Sequence, residues 1–489
     1  LLTEFERNRI PLDPYRTESR GGRRIAINSE GRPVERNFER EQGRVREYLD
    51  RQDPAYRAEL ERLSESLPKM DEACRLAVIV PARFEARYLD KLLGLYAGQQ
   101  DDEGRPIDPR SFEVNLIINR KKSETPDDSM EIIQAWKRAH PEIRVNAIDL
   151  AFDDETAGVG RARKYITDLS LLRSVERPRA AGPLYIESED ADLMGLDRRT
   201  VGKIIRDFDH EPGLDVLRGI QDRQPDVLKE NDLLFLGVRL HDFAEALLRK
   251  RKYRPDVNPE ASFTWHRIFS GDWNTAFTAE VYSQIGGYNP EMKIGEDADI
   301  DEKISVLRGE RDRNGRFVPN TFTAKASGLR ASSSPRRFID ALARKIAPYS
   351  DFENQALKRS TIPQLLDLVK EYERIRPEHL AKYQEAFDNN VVFLRGMFPV
   401  DSREWQRILK RSLTFVGLRE RQHYTLTVEG VTLKPEGLAQ LKDLFDTYRQ
   451  EGRWKYGYRR QNVAPEIAVL MGPDRAIRPR RRSRGSSAS

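Results

Sequence analysis

The 489-residue sequence predicts an α/β fold in which a mostly parallel sheet is flanked by helices. Between Arg75 and about Lys345, short apolar runs alternate with amphipathic helical stretches, which is typical of βαβ units. The tetrapeptide Glu-Asp-Ala-Asp occurs twice, at residues 189–192 after an apolar run and at residues 296–299 before a helical stretch. Ligands bind beyond the carboxyl ends of strands in open α/β sheets, so we expect the first copy at such a site.

The strands and helices are predicted in pairs, each an apolar run followed by a helical stretch. The pairs are 76–80 with 88–97, 114–118 with 130–140, and 184–186 with 200–208. We expect Pro81 to stop ladder pairing at the end of the first strand and to turn the chain outward.

Composition predicts four regions along the chain. Residues 1–70 form a charged, partly helical N-terminal extension, and residues 71–345 form the α/β domain. Residues 346–470 form a mainly helical C-terminal region in which 424–433 alternates like strands. Residues 471–489 are rich in Arg, Pro, Ser and Gly, a composition that predicts a disordered tail.

Cysteine and hydropathy patterns bound the environment of the protein. Cys74 is the only cysteine, which excludes an intramolecular disulfide and a zinc site built from cysteines. It fits a reducing compartment, and we expect a cytoplasmic protein. The apolar runs are too short to cross a bilayer, and we expect a signal peptide to be absent or already removed.

The formal net charge of +5 comes from the tail, which holds six arginines against the single acid Asp474. The rest of the chain is formally neutral, which argues against a dedicated nucleic-acid-binding fold because such a fold needs a basic face. The tail alone could contact polyanions or anionic lipid.

Polar residues at the ends of the first two strands are candidates for ligand contact. Pro81, Arg83 and Glu85 follow the first strand, and Asn119 ends the second. The alternative for Glu85 is a solvated turn residue that complements the dipole of the next helix.

A glycine-containing turn opens a helix at Gly158, Gly160 and Arg163. Such a turn lets backbone amides approach a phosphate, and Arg163 could add charge. A flexible loop before an amphipathic helix explains the glycines equally well, since the turn lacks the third glycine of a dinucleotide fingerprint.

Asp190 and Asp192 are spaced so that two carboxylates can share a hard divalent cation, Mn²⁺ or Mg²⁺. The alternative is an acidic surface turn, which clustering of acids disfavours unless something positive binds.

Asp297 could act as a general base with Glu296 as its neighbour or orienter, although an acid pair complementing a helix dipole is the alternative. Arg336 and Arg337 could clamp phosphate oxygens, or could simply be surface arginines at a helix start.

Taken together, and in their order along the chain, these candidate residues resemble those of the family 2 type glycosyltransferases of the GT-A fold. The resemblance covers about residues 75–338. Residues 79–85 resemble the first nucleotide-contacting segment, residues 158–163 the Gly-rich loop, and residues 189–192 the Asp-x-Asp metal motif. Residues 269–277 with 285–288 and 295–297 are similar to the acceptor-side segment that ends in a Glu-Asp pair.

The resemblance implies a hexosyltransferase-like enzyme that uses a nucleoside-diphosphate sugar donor. Glu85, Asn119 and the Gly-rich segment would hold the donor, Asp190 and Asp192 would bind the cation at its diphosphate, and Asp297 would deprotonate an acceptor hydroxyl, with net inversion. The acceptor would be a sugar, a glycan or a small molecule.

Two departures from the family keep alternatives open. No histidine lies between His266 and His379 to serve as a further metal ligand. The Arg-Arg pair at Arg336 also resembles that of transferases making small osmolytes, some of which retain configuration. A sugar-phosphate nucleotidyltransferase and a non-catalytic polyanion-binding protein are the other hypotheses, although the first strand lacks the Gly-rich loop that the former needs.

Overall fold

The structure is a computed structural model of the whole chain. It describes residues in the following ranges: 15–20, 23–28, 32, 38–178, 182–238, 274–293, 295–307, 310–311, 317–318, 324–346, 360–374, 376, 378, 380–385, 388, 402–415, 417–427 and 430–451. The predicted tail at 471–489 and residues 269–273 of the acceptor-side segment lie outside these ranges.

The described residues fall into two compact units. The first draws on Leu1–Leu228, Trp265–Asp340 and Asp351–Leu366, and the second on Lys229–Thr264, Ala341–Ser350 and Asp367–Ser489. All the candidate site residues belong to the first unit.

After two N-terminal strands and two helices, strands and helices largely alternate along the chain, as in βαβ units. In order they are β1 (Tyr15–Arg20), β2 (Arg23–Asn28), α1 (Phe38–Asp50), α2 (Pro54–Glu65), β3 (Leu76–Ala82), α3 (Ala86–Ala97), β4 (Phe112–Lys121), α4 (Ser129–Ala139), β5 (Val145–Phe152), α5 (Val159–Val175), β6 (Tyr185–Ser188), β7 (Leu193–Leu196), α6 (Thr200–His210), β8 (Val216–Arg223) and α7 (Pro225–Glu230).

The remaining elements complete the sheet and form the C-terminal region. They are β9 (Thr275–Thr278), α8 (Ala279–Gln284), α9 (Glu296–Leu307), β10 (Glu310–Arg311), β11 (Phe317–Val318), β12 (Ala324–Ser333), α10 (Arg336–Arg344), α11 (Ile362–Leu368), α12 (Ser402–Phe415), β13 (Tyr424–Leu426), β14 (Val431–Leu433) and α13 (Pro435–Glu451).

Eight of the described strands form one sheet in the order β5-β4-β3-β6-β9-β8-β12-β7. The pairs from β5 to β6 and the pair β8-β12 are parallel, whereas β9 and β7 run antiparallel to their neighbours. The predicted fold class, an α/β domain with a mostly parallel sheet flanked by helices, is therefore confirmed.

The prediction that Pro81 stops ladder pairing is wrong, because β3 stays paired with β4 through Pro81 and Ala82. The amide of Glu189 donates to the Ile79 carbonyl (3.1 Å), so the backbone N–H and C=O groups of Ile79, and of every second residue from it, point toward β6. Pro81 comes two residues after Ile79, so its backbone nitrogen lies on the same side of β3. The β3–β6 register has already ended there, at Ile79 opposite Ser188. The missing N–H of Pro81 therefore points where no strand needs a donor, which is how a proline is tolerated in a sheet.

The sheet separates two apolar cores because successive strand residues point to opposite faces. Val78 and Val80 of β3 lie in one core with helices α3, α4 and α6, represented by Leu89, Ile133 and Ile204. Ile79 lies in the other core, with side chains from α1, α2, α5 and α8.

In the second unit, β13 and β14 pair antiparallel, with Leu426 opposite Val431, which confirms the strand-like alternation predicted for 424–433. The rings of Phe235 and Phe445 meet edge to face at 5.4 Å. Within the described ranges, no helix is both long enough and apolar enough to span a membrane.

Candidate active site

The carboxyl ends of β4, β3 and β6 meet at one edge of the sheet because these neighbouring strands are parallel. Asn119 lies buried at the end of β4, Glu85 follows β3, and Asp190 and Asp192 follow β6. The backbone turns sharply after β3, where Phe84 adopts the left-handed region (φ 59°). Since a bulky residue is costly there, the turn that presents Glu85 is held by its surroundings.

A buried arginine connects the two acidic segments. Arg163, in the first turns of α5, is only 2% exposed, and its guanidinium donates to Oδ1 of Asp190 (2.7 Å) and to Oε1 of Glu296 (3.2 Å). It also donates to the Ser188 hydroxyl and to the Glu189 carbonyl. Residues that are remote in sequence are thus brought to the same edge of the sheet by one guanidinium.

Glu296 is buried, and its pKa is raised to about 7. Burial is the largest cause, and the carboxylates of Asp297 and Asp190 raise the pKa further, while Arg163 opposes the rise. Asp297 is half-buried beside it in the first turn of α9. A carboxyl group with such a pKa changes protonation state near neutral pH.

A second buried arginine joins Glu85 to Asp192. Arg336, also 2% exposed, makes a two-pronged ion pair with Glu85 (Nη1 to Oε2, 2.6 Å) and lies 3.5 Å from Oδ2 of Asp192. Its guanidinium carbon is 5.0 Å from the ring centre of Tyr88. Burial disfavours the charged guanidinium, but the carboxylates of Glu85 and Asp192 hold the pKa of Arg336 above its ordinary value.

Asp192 is buried, and its pKa is raised chiefly by that burial and then by the Glu85 carboxylate, against the opposing effect of Arg336. Its backbone carbonyl accepts from the Ser334 amide (3.1 Å), which ties the segment after β6 to the start of α10. Arg337 is exposed, and its charge also lowers the pKa of Asp192.

Arg83 makes a two-pronged pair with Glu124 (Nε to Oε2, 3.1 Å) in the loop after β4. The Lys121 amide also donates to Glu124 (2.8 Å), so this pair fastens the β3–α3 turn to the end of β4. Although burial opposes it, the bonds from Arg83 and Lys121 lower the pKa of Glu124.

The glycines at the start of α5 allow close packing of two backbones. A Cβ on Gly160 would lie 2.5 Å from the Asn289 carbonyl oxygen and 2.6 Å from that of Met292, and the Gly160 amide donates to the Met292 carbonyl (3.1 Å). A Cβ on Gly158 would lie 3.1 Å from the Cα of Lys293. Contact with a phosphate stays a prediction for both glycines, because the observed contacts hold the loop that leads into α9.

Several residues of the site were not predicted from the sequence. Ser188 accepts from Arg163 and from the Tyr288 hydroxyl (3.2 Å), and Glu124 and Tyr88 hold the two flanking arginines. Glu189 is fully buried, and burial raises its pKa well above the ordinary value. Glu189 and Tyr288 lie in the segments 189–192 and 285–288 that resemble the family's motifs, whereas Ser188, Glu124 and Tyr88 carried no such signal.

A divalent cation would find oxygen ligands in Asp190 and Asp192. The Asp190 side chain is 36% exposed, and carboxylate oxygens are the ligands that Mg²⁺ and Mn²⁺ prefer. In the part of the chain that the structure describes, no three acidic, histidine or cysteine side chains converge as a metal cluster. A cation held by this pair would have to take its other ligands from water and phosphate.

Neither the scan of protein-family models nor the search of curated proteins matches this chain. Among solved structures it is similar to TarS (1–349) of S. aureus, at 13% identity over 78% of this chain and 93% of that chain, with a TM-score of 0.31. It is also similar to the mannosyltransferase PcManGT from Pyrobaculum calidifontis in complex with GDP-Man and Mn²⁺, at 15% identity over 74% and 88%, with a TM-score of 0.32.

A third similar structure is glucosyl-3-phosphoglycerate synthase from Mycobacterium tuberculosis with Mn²⁺, UDP and glucosyl-3-phosphoglycerate. The identity is 16%, covering 46% of this chain and 61% of that chain, and the TM-score is 0.23. With TM-scores below 0.5, these likenesses carry no weight for activity, and what the site can do has to be judged from its own side chains.

Proposed function

We propose that this protein is a glycosyltransferase of the GT-A fold, similar to family 2, that moves a sugar from a nucleoside-diphosphate sugar to an acceptor hydroxyl. The observation that carries the proposal is the bridge through Arg163, which brings Asp190 and Glu296 to one edge of the sheet. A transferase of this kind needs a site for the leaving diphosphate and a nearby base, and the two acidic segments can supply both.

Asp190 and Asp192 would hold a Mn²⁺ or Mg²⁺ ion in the enzyme. When bound, the ion supplies positive charge that stabilises the leaving diphosphate. Arg163 bonds to Asp190 and Arg336 lies beside Asp192, so the two guanidinium groups hold the first acidic segment around that position. Arg337, exposed beside Arg336, is the guanidinium best placed to meet phosphate oxygens from solvent.

Asp297 would take the proton of the acceptor hydroxyl. Its neighbour Glu296 is held by Arg163, which makes Glu296 the orienting residue of the pair and leaves Asp297 as the base. Direct attack of the activated hydroxyl on the anomeric carbon forms the new glycosidic bond as the bond to the diphosphate breaks, with inversion. Glu85, Asn119 and the β3–α3 turn with Pro81 and Arg83 would line the nucleotide side, which accords with their places at the ends of β3 and β4.

The first experiment measures release of nucleoside diphosphate from a panel of nucleotide sugars, with Mn²⁺, with Mg²⁺ and with a chelator. Cation-dependent release with an acceptor present supports the proposal, and NMR of the product gives its anomeric configuration. Pyrophosphate release from a sugar phosphate and a nucleoside triphosphate would instead favour a nucleotidyltransferase. Absence of turnover with every donor would contradict both enzyme hypotheses.

Two variants then test the roles of the aspartates. Asp192→Asn should abolish Mn²⁺-dependent binding of a nucleoside diphosphate in calorimetry, and unchanged affinity would reject the metal assignment. Asp297→Asn should lower turnover about 100-fold or more while donor affinity stays, which is the pattern of a lost base. Near-normal turnover would remove Asp297 from the mechanism.

Cytoplasmic location stays a prediction, in accord with the single buried cysteine.

A further inference from the structure

A second buried polar cluster lies between α5 and the N-terminal helices α1 and α2. Asp168 is fully buried and accepts hydrogen bonds from Tyr48 (2.9 Å), Tyr56 (2.9 Å), Tyr282 (3.1 Å) and Lys164 (2.8 Å). We call these five residues the Asp168 cluster. Lys164 also donates to the Tyr48 hydroxyl (2.7 Å). Both oxygens of Asp168 are thus satisfied by donors from α1, α2, α5 and α8.

The hydroxyl groups of this cluster remain protonated donors. The pKa values of Tyr48, Tyr56 and Tyr282 are all raised well above the ordinary value, chiefly by burial and then by the charge of Asp168. A buried carboxylate with this many donors is a rigid anchor, because moving any one of them leaves a buried polar group unsatisfied.

The Asp168 cluster contacts the loop that leads to the second acidic segment. The Tyr288 amide donates to the Tyr282 hydroxyl (3.3 Å). Gly287 has a positive φ (74°), and a Cβ there would lie 2.8 Å from the Tyr282 hydroxyl and closer still to that of Tyr48. The loop backbone therefore lies directly on the tyrosine hydroxyls, with no room for a side chain.

Two sets of hydrogen bonds connect this loop to the elements that carry the candidate catalytic residues. The Gly287 carbonyl accepts from Lys303 of α9 (3.2 Å), the helix whose first turn carries Glu296 and Asp297. The Tyr288 hydroxyl donates to Ser188 (3.2 Å), which also accepts from Arg163. The loop is thus hydrogen-bonded directly to α9 through Lys303, and to Arg163 through Ser188.

We infer that the Asp168 cluster is a positioning device for the reaction, through which the N-terminal helices α1 and α2 set the loop at Gly287 and Tyr288, and with it α9 and Arg163. This inference rests on the proposed function. The cluster residues touch no substrate themselves. Their effect on the reaction runs through the position of Asp297 and through the contacts of Arg163 with Asp190 and Glu296.

Tyr282→Phe tests the inference, because it removes the hydroxyl that bonds both Asp168 and the Tyr288 amide while keeping the ring stacked on Phe277. The matched control is Tyr165→Phe on α5, whose hydroxyl bonds Glu59 of α2 (2.7 Å) and takes no part in the cluster. Tyr56→Phe removes only the contact that α2 makes with Asp168.

We expect Tyr282→Phe to lower kcat about tenfold with KM for the donor within about twofold, an effect of the size of one or two net hydrogen bonds. Tyr56→Phe should show a smaller change in the same direction, and Tyr165→Phe should leave kcat unchanged. In hydrogen exchange by mass spectrometry, peptides covering residues 286–300 should exchange faster in Tyr282→Phe than in Tyr165→Phe.

The two readouts separate failure of this inference from failure of the proposed function. Equal exchange of residues 286–300 in Tyr282→Phe and Tyr165→Phe would overturn the positioning role, and so would equal kcat values. If the wild-type protein transfers no sugar, the proposed function fails, but the exchange experiment still decides whether the cluster controls the loop. A thermal melt of each variant shows whether a loss of kcat merely follows a loss of folded protein.

Discussion

Replacing Glu296 by Gln should change how the stability of the protein depends on pH. Glutamine resembles the protonated glutamic acid in shape but does not ionise. Glu296 is buried, and its pKa is raised from 4.5 to about 7, with burial as the main cause. The folded state therefore holds a proton on this group over a range of pH in which the unfolded chain has released it.

The size and sign of the effect follow from that difference. A carboxyl group with a raised pKa in the folded state contributes stability that is fully present below pH 4.5 and is lost as the pH rises through about 7. A rise of this size corresponds to a loss of about 3 kcal/mol. The wild-type protein should thus lose about 3 kcal/mol relative to Glu296→Gln between roughly pH 4.5 and pH 8.

The assay is urea unfolding of both proteins at several pH values across this window. The quantity of interest is the difference in unfolding free energy between the variant and the wild type, and how that difference changes with pH. Effects of the substitution that do not depend on pH, such as a weaker bond to Arg163, shift this difference equally at every pH and leave its pH dependence unchanged. Titration of Glu187, whose pKa burial raises to about 8, occurs in both proteins and cancels in the difference.

Glu155→Gln is the control, because Glu155 is exposed in the loop before α5. Removing the charge of an exposed glutamate in this way shows how far a change in the stability curve is specific to the buried position of Glu296. If the curve of Glu296→Gln ran parallel to that of the wild type, Glu296 would ionise in the folded protein as it does in water. The buried position beside Asp297 and Asp190 would then be refuted.

The remaining predictions concern stability and packing. Arg336→Met should destabilise the protein by about 3–5 kcal/mol in urea unfolding, because it leaves the buried carboxylates of Glu85 and Asp192 without their cation. Adding Glu85→Gln should recover part of that loss, and full additivity of the two changes would contradict the pairing. Gly160→Ala should cost about 1–3 kcal/mol by forcing the backbone off two carbonyl oxygens, whereas Gly43→Ala, with open space around its Cβ in α1, should stabilise by up to about 1 kcal/mol. Similar melting temperatures for the two glycine variants would contradict the close packing at Gly160.

The strands of the parallel sheet could be predicted because buried strands read as nearly continuous apolar runs. Residues 76–80 and 114–118 are such runs, and they lie on paired strands, with Val78 opposite Val114 and Val80 opposite Leu116. The end of β3 was harder to predict, since the tolerance of Pro81 depends on where β6 ends, and that is a property of the neighbouring strand.

The pairing of charges in the site could not be predicted from the sequence. Arg163 and Glu296 are 133 positions apart, and Arg336 and Glu85 are 251 apart. Each pair depends on how loops meet at the end of the sheet, which local patterns do not encode. The glycines at 158 and 160 showed the same ambiguity, because a requirement for small residues arises both from a phosphate and from a backbone packed close by.

Burial is the main reason for the raised pKa of Glu296, and the arrangement of charge at the sheet edge adds to it. Arg163 meets two carboxylates, Asp190 and Glu296, and Asp297 adds a third negative group beside Glu296. A single guanidinium does not offset these charges at a buried position, so Glu296 responds by holding a proton. A hard cation on the exposed side of Asp190 would supply the missing positive charge and favour release of that proton. The same excess of acid that costs stability in the free protein would therefore attract the cation that the proposed reaction needs.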